Sequence, residues 1–202
     1  MKGSRLALCL FISITANAYA AGDPVAGQEK SAVCQGCHGV DGNSYGPDWP
    51  NLASQGQAFI IKQLKAFQSG ARKDPTMTDM AAGLSEQDME DISAYFTKQE
   101  VKPQEAQDAK ASSAGKKLFV AGNRYTGVPA CSGCHGPNAV GNGPGAIPRL
   151  AGQKPTYVTK ALKDFRSGTR TNDRNSIMQN IAEKMSDKDI EQVAAYLAGM
   201  VQ

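Results

Sequence analysis

The sequence contains few aromatic residues and few histidines, and it has no long apolar run after its N-terminus. Aromatic residues make up 6% of the 202 residues, tryptophan occurs once, and there are only two histidines. A transmembrane helix needs about 20 consecutive apolar residues, and no later segment supplies them. The sequence therefore predicts no transmembrane span, and it limits any chemistry that depends on imidazole to two positions.

The apolar run at the N-terminus has the features of a secretory signal peptide. Lys2 and Arg5 precede the apolar run 6–14, and a small-x-small cleavage pattern ends at Ala20. The run is also too short to span a bilayer. We expect cleavage after Ala20, which removes Cys9, and we expect the mature protein in the periplasm.

The other cysteines and both histidines form two C-x-x-C-H motifs. The first motif contains Cys34, Cys37 and His38, and the second contains Cys131, Cys134 and His135. Two thiols three positions apart on a helical turn can each add to a haem vinyl group, and the histidine that follows places an imidazole beneath the iron. No cysteine or histidine of the mature chain is left over for disulfides or a separate zinc site.

Two other kinds of site also use a C-x-x-C pair, namely redox dithiols and zinc sites. Zinc ribbons separate their two pairs by about 15–20 residues, whereas most of a domain lies between the pairs here. A thioredoxin-like dithiol predicts alternating strands and helices, and the sequence has no convincing period-two strand. We therefore predict two covalently bound haem c groups, which would also stabilise two domains too small for large apolar cores.

The motifs belong to a repeat that covers the mature chain. The segments 49–53, 62–67 and 84–88 match the segments 147–151, 160–165 and 185–189, in the same order. Between the copies, the segment 98–113 is polar and lacks apolar periodicity, which predicts a linker over most of it. We expect a signal peptide over residues 1–20, a first domain over residues 21–103 and a second domain over residues 104–202.

Both copies are predicted to be helical, so the expected fold class is all-α. Asp23 and Pro24 are typical of a helix start before the first motif. Apolar residues recur at helical spacing in 58–67 and, after a cap at Ser85, up to Phe96. The second copy repeats both stripes. Such stripes predict core positions, and a haem can form part of that core.

The sixth iron ligand has to come from another residue type, because both histidines are already used. Lone methionines are mostly core residues, and the mature chain has six: Met77, Met80, Met89, Met178, Met185 and Met200. Aligning Leu84 with Met185 pairs Met77 with Met178, and no other two methionines match in that register. Met77 and Met178 are the predicted ligands, and Met80 stays open as the alternative in the first domain.

These features resemble the di-haem cytochrome c4 family over essentially the whole mature chain. The matching segments are C-Q-G-C-H-G-V-D-G-N, W-P-N-L-A, C-S-G-C-H-G-P-N-A-V-G-N, I-P-R-L-A-G-Q and F-R-S-G-T-R-T-N-D. The resemblance implies two tandem class I cytochrome c domains related by a pseudo-twofold, with His38 and Met77 ligating one iron and His135 and Met178 the other.

The resemblance also implies a contact behind each histidine. The carbonyls of Pro50 and Pro148 would accept a hydrogen bond from the remaining ring N–H, which fixes the ring and tunes the iron. The first domain departs from the family pattern at Ser54, where the second domain has the family-like Gly152. The loop geometry at Ser54 is therefore left open.

The expected function is electron transfer and not catalysis. A methionine sulfur raises the potential, and six-coordinate iron has no open position for oxygen or peroxide. We expect a monomer at the periphery of the inner membrane that passes single electrons between respiratory redox proteins, with a membrane-bound oxidase or reductase as a partner. One alternative is the cytochrome subunit of a flavocytochrome-type dehydrogenase, and another is a di-haem peroxidase, which would need an open iron site.

Charge is distributed unequally between the two copies. Residues 21–103 contain 7 Lys/Arg and 11 Asp/Glu, a net charge of −4, whereas residues 104–202 contain 13 and 8, a net charge of +5. We predict that the basic domain steers toward an acidic partner and that its haem has the higher potential. The basic residues are scattered and not grouped with aromatics, which argues against nucleic-acid binding.

Overall fold

The computed structural model describes residues 22–102, 104 and 108–200. The predicted signal peptide and its cleavage site lie outside these residues. Within them the chain forms ten α-helices and no β-strand, with two isolated bridges, Asn123–Val128 and Asn142–Ile147. The all-α prediction is confirmed.

The helices fall into two sets that follow the sequence repeat. The first set is α1 (Pro24–Lys30), α2 (Ala32–His38), α3 (Gln57–Gln68), α4 (Pro75–Ala82) and α5 (Glu86–Thr97). The second set is α6 (Ala109–Ala121), α7 (Ser132–His135), α8 (Pro155–Ser167), α9 (Ile177–Ala182) and α10 (Asp187–Ala198), with a 3-10 turn over Arg174–Ser176 before α9.

Helix α6 begins at Ala109, in the last part of the segment 98–113, most of which the sequence predicts to be a linker. The Asp108 side chain accepts the Ala111 N–H at 2.7 Å and so caps the helix start. The first turns contain alanines and lysines, which favour a helix without giving an apolar stripe. Apolar residues that pack in the core appear only at Leu118 and Phe119.

The start of each domain's last helix shows the expected capping chemistry. Ser85 and Asp88 form a capping box at α5, in which each side chain binds the other residue's backbone N–H, and Ser186 and Asp189 do the same at α10. The Asp23 side chain accepts the Val25 N–H at 2.8 Å at the start of α1. These caps fix where the helices begin.

The first helix of each domain packs across the last one, α1 on α5 and α6 on α10. A Cβ atom on Gly27 would lie 2.0 Å from the Asp91 carbonyl oxygen, and one on Gly115 would lie 1.9 Å from that of Gln192. Only glycine allows this backbone contact, so both crossings depend on it. The Cβ atoms of Tyr95 and Tyr196 lie 3.0 and 2.9 Å from the same two positions.

Each domain has its own small apolar core. In the first domain α3 packs on α4 and α5, and in the second α8 packs on α9 and α10. The buried apolar residues of the first core are Ile60, Leu64, Phe67, Ala81, Met89, Ile92, Tyr95 and Phe96. The buried apolar residues of the second are Leu118, Phe119, Val128, Ala139, Ala151, Val158, Met185, Ile190, Val193, Ala194 and Leu197.

The domains meet through the loops that follow the two C-x-x-C-H helices. Gln55 of the first loop binds the backbone of Arg149, and Gln153 of the second binds the backbone of Asn51. In the repeat, Gln55 matches Gln153 and Asn51 matches Arg149, so the same contact is made in both directions. This reciprocity is the signature of a pseudo-twofold between the domains.

Ser54 keeps the backbone conformation of its glycine counterpart. Its φ angle is 55° and that of Gly152 is 73°. The Ser54 N–H donates to the Phe96 carbonyl at 3.0 Å, and the Gly152 N–H donates to the Leu197 carbonyl at 2.9 Å. The loop geometry left open by the sequence is therefore the same in both domains.

Candidate haem sites

The two C-x-x-C-H motifs lie on short helices that end at the histidine. Helix α2 carries the whole first motif, and α7 carries Cys134 and His135 with Cys131 at its N-cap. Gly39 and Gly136 follow with φ angles of 83° and 80°. These glycines end each helix directly after its histidine, at φ angles that favour glycine.

Both histidines are buried and held by a backbone carbonyl. His38 Nδ1 lies 2.8 Å from the Pro50 oxygen, and His135 Nδ1 lies 3.0 Å from the Pro148 oxygen. Because a carbonyl only accepts, each Nδ1 carries the proton, and Nε2 is left as the nitrogen that can coordinate iron.

Burial favours the neutral form of these histidines. It lowers the pKa of His38 and His135, against the opposing effect of the hydrogen bond to each proline carbonyl. A neutral imidazole is the form that ligates a metal. Both the tautomer and the charge state therefore suit an axial haem ligand.

The first cysteine of each pair does not have the electrostatics of a redox dithiol. Burial raises the pKa of Cys34 and Cys131, whereas reactive dithiols depend on a lowered thiol pKa. Among the described residues, no group of three or more His, Cys, Asp or Glu side chains is arranged to hold a metal ion. Thioether attachment to haem is the chemistry that suits these pairs.

Met77 and Met178 occupy matching positions on short helices α4 and α9. Met77 is half-buried against the first core, and its N–H donates to Asp74 Oδ1 at 3.0 Å. Met178 is half-buried, and its N–H donates to Asp173 Oδ2 at 2.7 Å. An aspartate carboxylate thus fixes the backbone of each methionine.

The other methionines of the described chain lie in different surroundings. Met80 is 40% exposed, whereas Met89 and Met185 are 1% and 4% exposed and pack in the two cores. Met200 packs against the second core from the chain end. This distribution favours Met77 over Met80.

Two arginines missed by the sequence reasoning lie at the domain interface. The Arg72 guanidinium stacks on Phe67 with its central carbon 4.6 Å from the ring centre, and that of Arg170 stacks on Phe165 at 4.4 Å. Both donate to Gln63 Oε1, at 2.9 and 3.0 Å. The repeat pairs Arg72 with Arg170, and that pairing was the available signal.

These arginines form a concentration of positive charge without a matching carboxylate. In the part of the chain that the structure describes, neither forms an ion pair with Asp or Glu. Burial lowers the pKa of Arg170 to about 10, so it stays protonated at neutral pH. The pKa of Tyr157, whose hydroxyl accepts from Arg72 Nη2 at 3.1 Å, is lowered because the two arginines outweigh the opposing effect of burial.

Arg170 is buried and Arg72 is half-buried. A buried cation that has hydrogen bonds but no ion pair is costly and favours an anion beside it. A haem brings two propionate carboxylates, so this interface fits the group that the C-x-x-C-H motifs imply. The donor set as a whole, thiols, neutral imidazoles, thioethers and guanidiniums, fits haem in each domain.

The fold and the two sites together define a di-haem c-type cytochrome. A model of the cytochrome c family matches residues 24–100 and 112–200. The chain is 46% identical to cytochrome c4 of Azotobacter vinelandii over 99% of this chain and 100% of that protein. A crystal structure of reduced recombinant cytochrome c4 from Pseudomonas stutzeri superimposes with a TM-score of 0.86 at 46% identity, covering 90% of this chain and 100% of that one. The chain belongs to the cytochrome c4 family.

Membership of this family settles the cofactor and the general function. The chain carries two covalently bound haem c groups and is an electron carrier with redox partners. It is also 36% identical to a thiosulfate dehydrogenase electron acceptor of Stutzerimonas stutzeri strain A1501, over 84% of this chain and 80% of that protein. That relative is more distant, so the carrier interpretation holds over the flavocytochrome subunit.

In the described ranges 22–102, 104 and 108–200, every helix is too short or too polar to cross a membrane.

Proposed function

We propose that this protein passes single electrons between periplasmic redox partners through two six-coordinate haem irons, one held by His38 and Met77 and the other by His135 and Met178. The observation that carries the proposal is the matched placement of each histidine and methionine. Each imidazole is fixed by a proline carbonyl, and each methionine backbone is fixed by an aspartate.

Haem, when bound, supplies iron that changes by one charge between its ferrous and ferric forms. The cysteines tether it, and each histidine presents Nε2 because its Nδ1–H is held by Pro50 or Pro148. Met77 and Met178 present a soft sulfur that favours the reduced iron and leaves no coordination position for oxygen or peroxide. We infer that the protein has no enzymatic activity of its own.

Arg72 and Arg170 are proposed to pair with haem propionates. The stacking on Phe67 and Phe165 and the bonds to Gln63 already hold the guanidiniums in place. Little side-chain freedom is then lost when an anion binds, which is the advantage of a preformed site. Because both guanidiniums lie at the domain interface, they would bind haem propionates there.

We infer that the mature protein is a periplasmic monomer, cleaved after Ala20, that works at the periphery of the inner membrane. The relative named as an electron acceptor for a dehydrogenase supports a periplasmic dehydrogenase as the donor. A membrane-bound oxidase or reductase is the proposed acceptor. The domains expected over residues 21–103 and 104–202 would then bind one haem each.

The ligand assignment is tested by replacing each methionine in the haem-loaded protein. We expect Met77→Ala and Met178→Ala each to abolish the methionine-to-iron absorption band of one haem and to lower that haem's potential by on the order of 0.1 V, because axial ligands set potentials over a range of about 0.8 V. The matched control Met80→Ala should leave both haems unchanged.

Low-spin spectra from both haems in Met77→Ala, or loss of one band in Met80→Ala, would assign the first ligand to Met80. A mass corresponding to two covalent haems is expected for all variants, because the cysteines are untouched. Peroxide turnover by the wild-type protein would contradict the carrier role.

A further inference from the structure

Each histidine is connected to the opposite domain through a single peptide group. The carbonyl of the Pro50–Asn51 peptide lies 2.8 Å from His38 Nδ1, and the N–H of the same peptide donates to Gln153 Oε1 at 2.7 Å. This gives an unbroken chain of hydrogen bonds from the first domain's imidazole to a second-domain side chain.

The second domain has the same arrangement. The carbonyl of the Pro148–Arg149 peptide lies 3.0 Å from His135 Nδ1, and its N–H donates to Gln55 Oε1 at 2.8 Å. Each glutamine therefore lies on the far side of the peptide that holds the other domain's histidine.

The orientation of both glutamine amides is fixed by further bonds. Gln153 Oε1 also accepts the Lys154 N–H at 2.9 Å, and its Nε2 donates to the Asn51 carbonyl at 3.0 Å. Gln55 Oε1 also accepts the Gly56 N–H at 3.2 Å, and its Nε2 donates to the Arg149 carbonyl at 3.1 Å. With oxygen and nitrogen each matched to a backbone partner, a reversed amide would lose every bond.

Burial makes these chains electrostatically effective. Gln55 is 4% exposed and Gln153 is 6% exposed. In such a low-dielectric region linked hydrogen bonds polarise one another. An acceptor on the peptide N–H increases the negative charge on the peptide oxygen, and this strengthens the bond from the histidine. A more strongly held Nδ1–H makes the imidazole a more basic ligand, which favours ferric iron.

We propose that Gln55 and Gln153 are positioning residues that act across the domain interface, each tuning the iron of the opposite domain through the peptide that binds its histidine. The proposal rests on the ligation of the irons by His38 and His135. It gives the duplicated chain a reciprocal coupling, because anything that displaces one domain alters the histidine bond of the other.

The test replaces Gln153 in the haem-loaded protein and follows each haem separately. Gln153→Met has a similar volume and replaces the amide oxygen that accepts the Asn51 N–H with a weakly accepting sulfur. We expect the His38 Nδ1–H resonance of the reduced protein to move upfield and exchange faster. At a fixed ambient potential, the ferrous-to-ferric ratio of the first-domain haem should rise by about threefold, with the second-domain haem little changed.

Two further variants separate tuning from loss of packing. Gln153→Glu keeps an oxygen at the acceptor position and should hold the His38 signal at or beyond its wild-type position. Gln55→Met should give the mirror result, with the change at His135. As a matched control, Asn172→Ala removes another interdomain bond, from Asn172 Nδ2 to Gln63 Oε1 at 2.9 Å, and should move neither histidine signal.

The proposal would be overturned if Gln153→Met changed the ferrous-to-ferric ratio of both haems equally or of the second-domain haem alone. It would also be overturned if a folded Gln153→Met protein showed no change at either haem. A Gln153→Glu protein whose His38 Nδ1–H resonance moves upfield as in Gln153→Met would also overturn it. A failure of the ligand assignment is distinguishable, because the wild-type protein would then lack the low-spin histidine–methionine spectrum before any glutamine is changed.

Discussion

At the scale of single residues, the sequence could identify the groups that react with haem but not those that surround it. The cysteines, histidines and methionines stand out because their types and spacing match a known chemistry. Arg72, Arg170, Gln55 and Gln153 are ordinary polar residues, and their importance comes from facing the other domain. A repeat alignment pairs them, but it cannot say which polar side chains are buried by an interface.

Ser54 shows how one residue meets a backbone requirement that glycine meets elsewhere. With φ at 55°, a non-glycine residue in this region costs about 1–2 kcal/mol. Its hydroxyl donates to the Gln99 carbonyl at 2.7 Å, and such a bond contributes about 1 kcal/mol. The two effects nearly cancel, which explains why the loop keeps the geometry of its glycine counterpart.

We predict that Ser54→Gly has a free energy of unfolding within about 1 kcal/mol of the wild type. Ser54→Ala keeps the strained backbone without the hydrogen bond and should be less stable by about 1 kcal/mol. Gly152→Ala should lose about 1–2 kcal/mol, because a Cβ there would also lie 2.8 Å from Val101 Cγ2. Urea unfolding of the haem-loaded variants measures all three. A stability of Ser54→Ala equal to that of the wild type would show that the hydroxyl bond contributes nothing.

At the scale of helices, apolar periodicity predicted α3, α5, α8 and α10 because each has a stripe that packs in a core. It missed α6, whose first turns pack through small residues, and it did not predict the short helices α4 and α9. These two begin after aspartates that cap the backbone near the methionines. Short helices of this kind depend on local capping and tertiary packing more than on periodicity.

The helix pairs α1–α5 and α6–α10 share a geometry but differ in charge. Lys30 of α1 lies 2.6 Å from Asp91 Oδ2 and 2.8 Å from Asp88 Oδ1 on α5. Lys30 is the largest cause that lowers the pKa of Asp91 and of Asp88. The pKa of Asp88 falls to about 2, because the Ser85 hydroxyl and N–H also donate to its carboxylate. In the second domain Gln192 stands at the position of Asp91, so this ionic cluster belongs to the first domain.

Acid should therefore weaken the first domain through this cluster. Because the folded pKa of each aspartate lies below its ordinary value of 3.8, the stabilisation is complete above about pH 4–5. It is lost as the pH falls toward 2. We predict that Lys30→Met is less stable than the wild type at pH 7 and that the difference shrinks steadily below pH 4.

Urea unfolding at several pH values measures that difference. Lys102→Met removes an exposed pair with Asp41 at 2.5 Å and serves as the control, with a much smaller effect at every pH. A Lys30→Met deficit that is constant from pH 7 to pH 2 would mean that packing of the lysine stem, and not the ion pairs, is responsible.

At the scale of the whole molecule, two domains with small cores are joined through matching loops. Each domain contributes one loop to an interface in which the same glutamine contact is made twice. The resemblance predicted the pseudo-twofold, but the reciprocal bonds depend on how the loops meet, and no residue pattern states that. The two domains share a fold but differ in net charge.

The unequal charge predicts the order of the two haem potentials. Oxidation adds a positive charge to the haem, which nearby cations oppose, and the second domain carries +5 against −4 in the first. There is also a local difference in charge beside each ligand histidine. The proline that binds the histidine is followed by Arg149 in the second domain and by the neutral Asn51 in the first. One charge 10 Å from the iron contributes about 0.4 kcal/mol in water, or about 20 mV for one electron. We therefore expect the second-domain haem to be higher by tens of millivolts.

A redox titration, with each haem assigned through Met77→Ala and Met178→Ala, measures this order. Arg149→Asn should narrow the gap because it removes the local contrast. Raising the ionic strength from 0.1 to 1 M should also narrow it, since the screening length falls from about 10 to 3 Å. Equal or reversed potentials at low salt would mean that the bonds at each histidine and methionine, and not the charge of the domains, set the direction in which the electron moves.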